Sequence, residues 1–263
     1  MIARLSLRVL ALGYLALLLV FPVSMIFVRT FGNGIGAVWE AVIQPDALHA
    51  LWLTLFVAVI AVSANTVFGI ACAMVLVRQN FRGKAVLNAI LDLPLAVSPV
   101  VIGLALLLIY GLTSPVGAWL AEAGIRIVFS TPGIILATIF VSLPFVVREV
   151  MPVLREIGTE QEQAASTLGA SSLQTFRLVT LPAIRSGVAY GIVLTMARAI
   201  GEFGAVSIIS GKLSGRTETL TIYVESSFQR FDIVGCYTAS LILALIAIST
   251  LLLTNLTKPK EEY

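Results

Sequence analysis

Residues 159–182 read TEQEQAASTLGASSLQTFRLVTLP, and this polar stretch interrupts a chain that is otherwise mostly apolar. Thr159 and Glu162 have the spacing of a capping box, which predicts that the threonine hydroxyl and the glutamate together cap the start of a helix. Gly169 fits the left-handed residue that ends such a helix. The stretch therefore begins with a short helix that a glycine turn closes.

A second helix is predicted after this turn. Ser171 and Gln174 repeat the capping-box spacing, and Leu181-Pro182 is expected to break the helix because proline has no amide hydrogen to donate. In the first helix, small or apolar residues are predicted to share one face: Ala164, Ala165 and Leu168. Small residues let a helix enter a groove of another protein. A helix that covers the end of its own bundle is the alternative interpretation.

The rest of the chain has the composition of an integral membrane protein. Of its 263 residues, 59% are hydrophobic and only 12% are charged, and the mean hydropathy is +1.01. A soluble domain of this size would leave large apolar patches in water, and a disordered chain would hold far fewer apolar residues. The composition excludes both classes.

Six apolar segments approach the roughly 20 residues that a membrane-spanning helix needs. They are expected at about residues 9–28, 51–77, 89–112, 131–147, 187–210 and 234–256. The first is predicted to remain in the mature chain, since its apolar run is longer than that of an ordinary signal peptide. We expect residues 1–50 to hold the first span and an outer loop, 51–256 to form the transmembrane core, and 257–263 to form a cytoplasmic tail.

The distribution of Lys and Arg predicts the orientation of the chain. With both termini in the cytoplasm, most cations of the loops lie on the cytoplasmic side, as the positive-inside rule requires. The densest group is Arg78, Arg82 and Lys84, which has no acidic residue nearby. The expected location is therefore the plasma (inner) membrane, in contact with lipid, with both termini cytoplasmic.

The loop at 159–182 resembles the EAA loop of ABC importer permeases, whose pattern is E-A-A-x3-G-x9-I-x-L-P. Gln163 stands at the position of the family's glutamate and Val179 at that of its isoleucine. The resemblance implies an all-α integral membrane protein of the type I ABC importer permease fold, with six transmembrane helices and a cytoplasmic coupling-helix loop. It also implies coupling to an ATPase through these residues: Thr159, Glu162, Gln163, Ala164, Ala165, Leu168, Gly169, Leu181 and Pro182.

Three further stretches, at residues 91–101, 145–150 and 198–206, resemble the CysW family of sulfate/thiosulfate permease subunits. This resemblance implies ATP-driven import of sulfate or thiosulfate. It implies as partners a homologous CysT-like permease, two CysA-like ATPase subunits that hold ATP and Mg, and a periplasmic sulfate-binding protein. A molybdate/tungstate-type permease that forms a homodimer is the alternative. An ion-coupled secondary transporter is a less expected alternative, because such proteins usually show internal repeats.

No ATPase motif or metal site is predicted within the chain. A Walker A loop requires G-x4-G-K-[ST], but Gly211-Lys212 lacks the first glycine and is followed by Leu213. A single histidine, His49, and two separated cysteines do not provide a usual metal site or a histidine-activated nucleophile. We therefore expect no catalytic residue, no cofactor in this chain and no nucleic-acid partner.

Three charged residues within predicted spans are candidates for the translocation pathway: Asp92, Arg198 and Glu202. Arg198 would lie about 16 Å into the fifth span at roughly 1.5 Å per residue, where an unpaired charge is costly. The spacing of four places Arg198 and Glu202 on one face of a continuous helix, so the pair is either structural or part of an anion path. Asp92 is either a helix-terminal acceptor or a pathway residue. Gly201 and Gly204 are consistent with close packing between spans.

Overall fold

The computed structural model describes the backbone of residues 2–257 and the side chains of residues 8–250, 252 and 253. The described residues form helices and loops, with no β-strand among them. In chain order the elements are α1 (Ile2–Leu15), a π-helical turn (Ala16–Val20), α2 (Phe21–Phe31), α3 (Gly34–Ile43), α4 (Pro45–Arg78), α5 (Lys84–Ala96), α6 (Pro99–Tyr110), α7 (Pro115–Glu122), α8 (Thr131–Glu156), α9 (Glu160–Thr167), α10 (Ser172–Thr175), a second π-helical turn (Phe176–Thr180), α11 (Leu181–Ala183), α12 (Arg185–Ile200), α13 (Gly204–Ile209), α14 (Leu220–Gln229) and α15 (Ile233–Thr257). Residues 258–263 of the predicted tail lie outside the described residues.

Four of the six predicted spans are single apolar helices long enough to cross a membrane. They comprise Arg8–Phe31, Pro45–Arg78, Thr131–Glu156 and Ile233–Thr250, which confirm the first, second, fourth and sixth predictions. The other two apolar regions are bent pairs of helices, so the described chain has six spans when each pair counts as one.

The third apolar segment, expected at about residues 89–112, is divided between two helices. Its axis bends by 111° between α5 and α6. Ser98 adopts an extended conformation with ψ of 134°, as the residue before proline commonly does, and Pro99 starts the new helix. The helix cannot pass through this point because the extended residue interrupts its hydrogen-bond ladder.

The fifth apolar segment, expected at about residues 187–210, is also divided between helices. The helix α12 starts at Arg185, after a 70° bend from the preceding helices, and it ends at Ile200. Three non-helical residues separate it from α13, where the Glu202 Oε1 atom accepts a 2.8 Å hydrogen bond from the Ala205 amide. The Glu202 side chain thus accepts a hydrogen bond from a backbone amide that the break leaves without a partner in the helix.

The sequence predicted that Leu181-Pro182 would break the helix, but the bend lies after these residues, between Ala183 and Arg185. The Leu181 amide donates to the Phe176 carbonyl, five residues back, which closes the π-helical turn. Pro182 then lies in the first turn of α11, where its missing amide hydrogen is tolerated. The helix ends instead at Ile184, with φ of −89° and ψ of 2°.

The helices α4 and α8 form the centre of the bundle. A Cβ added at Gly69 of α4 would lie 2.7 Å from Val146 Cβ of α8, so the two backbones approach closely. The Asn65 amide joins the same helices, since Nδ2 donates to Ile139 O at 3.1 Å and to Ser142 Oγ at 2.9 Å. Close packing and polar bonds therefore fix α4 against α8.

The first span lies at the periphery of the bundle. None of its most apolar 18-residue window is buried within the chain. Near its end, the Thr30 hydroxyl donates to the Tyr237 carbonyl of α15 at 3.1 Å. The span therefore presents its apolar surface to the surroundings and is anchored at one end.

Candidate coupling loop and translocation pathway

The helix α9 forms as predicted, but its capping box does not. Thr159 precedes α9 without a capping bond from its side chain. Glu162 instead lies 3.0 Å from Arg78 Nε through Oε2 and accepts a 2.9 Å bond from the Thr180 hydroxyl through Oε1. The backbone amide that it would cap is neutral, whereas the arginine carries a full positive charge and several N–H donors, so the glutamate turns toward the arginine. The side-chain amide of Gln163 donates through Nε2 to the Thr159 hydroxyl at 3.1 Å.

The glycine turn after α9 is confirmed. Gly169 has φ of +85°, in the left-handed region that glycine adopts most readily. The Ala170 amide donates to Ala165 O at 3.0 Å, which is the long bond of a Schellman motif. The second capping box also forms, since the Ser171 amide donates to Gln174 Oε1 at 2.8 Å and the Gln174 amide donates to Ser171 Oγ at 3.4 Å.

The three residues that were predicted to share one face of α9 do not all point the same way. Ala165 and Glu162 are partly buried against the bundle, whereas Ala164 and Leu168 are exposed. The apolar side chains that this loop leaves most exposed are Leu168 at 88%, Leu178 at 75% and Leu173 at 65%. Leu181 and Pro182 are exposed on α11, beyond the turn. The loop therefore has an inner polar anchor and an outer surface that carries leucines.

Arg198 and Glu202 contact each other across the break in the fifth span. Arg198 Nη1 lies 2.5 Å from Glu202 Oε2. The expected common helix face is absent, because α12 ends at Ile200 and Glu202 follows its C-cap, Gly201. The glutamate side chain is 2% exposed, against 30% for the arginine. The charge of Glu202 is thus met by Arg198.

Asp92 occupies a different contact. Its Oδ1 atom accepts a 2.8 Å hydrogen bond from Arg148 Nε, and Oδ2 forms an ion pair with Arg148 Nη2. This pair joins α5 to α8, and both side chains are partly exposed. The three predicted pathway residues therefore belong to two ion pairs, one in each bent region.

Of the two glycines for which close packing was predicted, Gly201 and Gly204, only Gly204 packs closely against another helix. A Cβ at Gly204 would lie 2.9 Å from Pro99 Cβ of α6, whereas the nearest atom to a Cβ at Gly201 is Ala197 O at 3.5 Å. The next residue, Ala205, meets Gly103 of α6, where an added Cβ would lie 2.6 Å from Ala205 O. The first half of α6 thus packs directly against α13.

Sequence reasoning missed two residues of these sites, Arg78 and Arg148. Arg78 was interpreted only as a cytoplasmic charge that sets the orientation, and Arg148 only as another such charge, within the stretch at residues 145–150 that resembles the CysW family. They bind acids that lie 84 and 56 residues away in the chain, at Glu162 and Asp92. No local pattern indicates contacts at such separations. Among the described residues no group of His, Cys, Asp and Glu side chains could hold a metal ion.

Comparison with known proteins identifies the family. The sequence profile described as "Binding-protein-dependent transport system inner membrane component" matches residues 65–260. The sulfate transport system permease protein CysW of Escherichia coli (strain K12) is 50% identical over 241 residues, which cover 92% of this chain and 83% of that protein. The sulfate transport system permease protein CysT of the same strain is 37% identical over 247 residues, with 92% and 89% covered.

The fold is also that of a known permease. A bacterial ABC transporter involved in the import of the acidic polysaccharide alginate superposes with a TM-score of 0.79 at 14% identity, over 97% of this chain and 94% of that chain. At this identity the likeness concerns the fold, which is that of a type I ABC importer permease. A secondary transporter does not fit these findings. The chain is a multi-pass membrane protein that belongs to the family of binding-protein-dependent transport system inner membrane components, and it resembles the CysW permeases.

Proposed function

We propose that this chain is one permease subunit of an ATP-driven importer of sulfate and thiosulfate. The observation that carries the proposal is the 50% identity to a sulfate permease over 92% of the chain. The chain is also similar to CysT over most of its length, which favours a pathway formed by two homologous permeases. The subunit hydrolyses no ATP itself.

The proposed complex contains a CysT-like permease, two CysA-like ATPase subunits and an extracytoplasmic sulfate-binding protein. ATP and Mg are bound by the ATPase subunits. Both termini of this chain lie in the cytoplasm, where Arg82 and Lys84 satisfy the positive-inside rule. The coupling loop follows α8 at the same side of the membrane and faces the ATPase.

The exposed side of the coupling loop is the proposed docking surface. Leu168 is 88% exposed beside the Gly169 turn, and exposed leucines in a polar loop are typical of a surface that a partner covers. Ala164 lies on the same outward side of α9. Its small side chain permits close approach of a partner groove.

We assign Arg198 of the fifth span to the anion pathway. We assign to Glu202 the role of holding the Arg198 side chain in position. The guanidinium is partly exposed while the carboxylate is buried, so an anion would meet the arginine first. Asp92 and Arg148 are assigned to the cytoplasmic end of the pathway, where their pair joins α5 to α8.

Uptake and assembly test this function together. The chain is coexpressed with a CysT-like permease, a CysA-like ATPase and a sulfate-binding protein in cells that lack sulfate uptake. We expect radiolabelled sulfate uptake that depends on all four proteins, and a native mass with one copy of each permease and two ATPase subunits. Uptake of molybdate in preference to sulfate, or a homodimer of this chain, would support the molybdate-type alternative. Uptake without any ATPase would exclude an ABC importer.

A further inference from the structure

Arg78, the last residue of α4, caps the end of another helix. Its Nη1 atom donates to Leu154 O at 2.9 Å, and its Nη2 atom donates to Gly158 O at 2.6 Å. Leu154 lies in the last turn of α8, where carbonyl groups lack amide partners within the helix, and Gly158 follows Ile157, the C-cap of that helix. A cation at a helix C-terminus also interacts favourably with the helix dipole. The Arg78 guanidinium therefore holds the ends of α4 and α8 together.

The same guanidinium binds α9, which is the coupling helix in the proposed function. Arg78 Nε lies 3.0 Å from Glu162 Oε2, and Nε and Nη2 donate to Oε1 at 3.3 and 3.2 Å. Oε1 also accepts from the Thr180 hydroxyl, at the end of the π-helical turn that leads to the fifth span. The two side chains are only 14% and 20% exposed, so solvent screens this pair less than a surface pair.

Packing around the pair is incomplete. A cavity of about 300 Å³ lies between α4 and the coupling loop, with Met74, Ser166 and Phe176 among its lining residues beside the ion pair. Directed polar bonds, rather than continuous apolar packing, therefore connect α9 to the bundle at this point. By contrast, α4 and α8 are packed closely along their length, with Val146 against Gly69.

We infer that Arg78 and Glu162 form a positioning pair that transmits movement of the coupling helix to the spans. This inference rests on the proposed function, in which the ATPase moves α9. Glu162 moves with α9, and through Arg78 and Thr180 the movement reaches α4, α8 and the entry to the fifth span together. The docking surface and the transmitting contact thus lie on opposite sides of the coupling helix.

The pair is tested in the full reconstituted importer by Glu162→Gln and Arg78→Lys. The measured quantities are the ATPase that copurifies, the rate of ATP hydrolysis and the sulfate transported per ATP hydrolysed. Glutamine keeps the size of Glu162 and a hydrogen-bond acceptor but removes the charge. Lysine keeps the charge of Arg78 but loses the planar guanidinium, which contacts four oxygen atoms of three residues: Leu154, Gly158 and Glu162. Glu156→Gln, at an exposed acid at the end of α8 and outside the docking surface, and Arg82→Gln, at an exposed cation of the loop after α4, are the matched controls.

We expect the sulfate transported per ATP to fall about tenfold in both pair variants, because each loses charge-assisted bonds. The copurified ATPase stays within about twofold of wild type, since the docking surface is unchanged. The controls keep the wild-type ratio. The inference is overturned if the pair variants transport as much sulfate per ATP as the wild type. This applies when transport and hydrolysis are both normal and also when both fall in proportion. Failure of both pair variants to assemble also overturns it, because the pair would then serve only the fold. Failure of the wild-type complex to transport sulfate would instead refute the proposed function.

Discussion

Replacing Gly169 by valine tests whether the ATPase recognises the turn between α9 and α10. Gly169 has φ of +85°, and its amide donates to Ser166 O at 3.0 Å. No atom lies within 4 Å of a Cβ added at this position, so a new side chain would extend into free space. The substitution therefore acts through the backbone conformation and not through a steric clash.

The size of the effect follows from that conformation. The left-handed region costs a non-glycine residue roughly 1–2 kcal/mol, and a β-branched residue lies at the upper end of this range. Since every 1.4 kcal/mol corresponds to about a factor of ten, the native turn becomes about 5–30-fold less favoured relative to other loop conformations. If the ATPase binds only the native turn, its apparent dissociation constant rises by up to the same factor.

The assay is titration of the purified permease pair in nanodiscs with the ATPase subunit. Gly169→Asn is expected to weaken binding by about threefold or less, because asparagine tolerates the left-handed region. Gly36→Val in α3 is the control, since its added side chain also meets free space but its φ lies outside the left-handed region. Wild-type binding by the valine variant would refute the assignment. An asparagine variant as weak as the valine variant would show that the backbone argument is wrong.

Three further predictions concern the spans. Gly204→Ala should destabilise the permease by about 1–3 kcal/mol through overpacking against α6, measured by thermal unfolding, and Gly201→Ala, which has space for a methyl group, should leave the midpoint unchanged. Asn65→Leu should cost about 1 kcal/mol through loss of its two bonds to α8, and an equally stable variant in the same assay would contradict that role. Arg198→Gln should abolish sulfate uptake while the complex still assembles, and adding Glu202→Gln should not restore it. Better uptake by the double variant than by either single variant would mean that the pair is only structural.

Hydropathy predicted the four uninterrupted spans because the length of an apolar helix is a local property of the sequence. The breaks are not local. Pro144 and Pro152 lie inside α8, which continues through both, whereas Pro99 starts a new helix after a 111° bend. Beyond this bend, Gly103 of α6 packs against Ala205 of α13. Proline permits a change of direction, but contacts between distant helices decide where the chain makes one.

The two capping boxes show the same limit within one loop. Ser171 and Gln174 are exposed, and their box forms as the spacing predicts. Thr159 and Glu162 have the same spacing, but Arg78 lies within reach of the glutamate and replaces the cap. Spacing within the sequence therefore identifies which bonds are sterically available. The competing partner, 84 residues away, determines which bond forms.

In the proposed function, the two members of the ion pair in the fifth span have different roles, one structural and one in transport. Glu202 Oε1 already accepts from the Ala205 amide, and the Thr221 hydroxyl donates to the Glu202 carbonyl, so moving this residue would uncap α13 within the membrane. An unsatisfied backbone group in that environment costs several kcal/mol, which fixes the glutamate in place. Arginine carries five N–H donors, and the partly exposed Arg198 contacts Glu202 through Nη1. Its remaining donors are sufficient to bind a dianion while Glu202 stays bound. The glutamate is therefore the fixed member of the pair, and we propose that the arginine is the member that substrate shares.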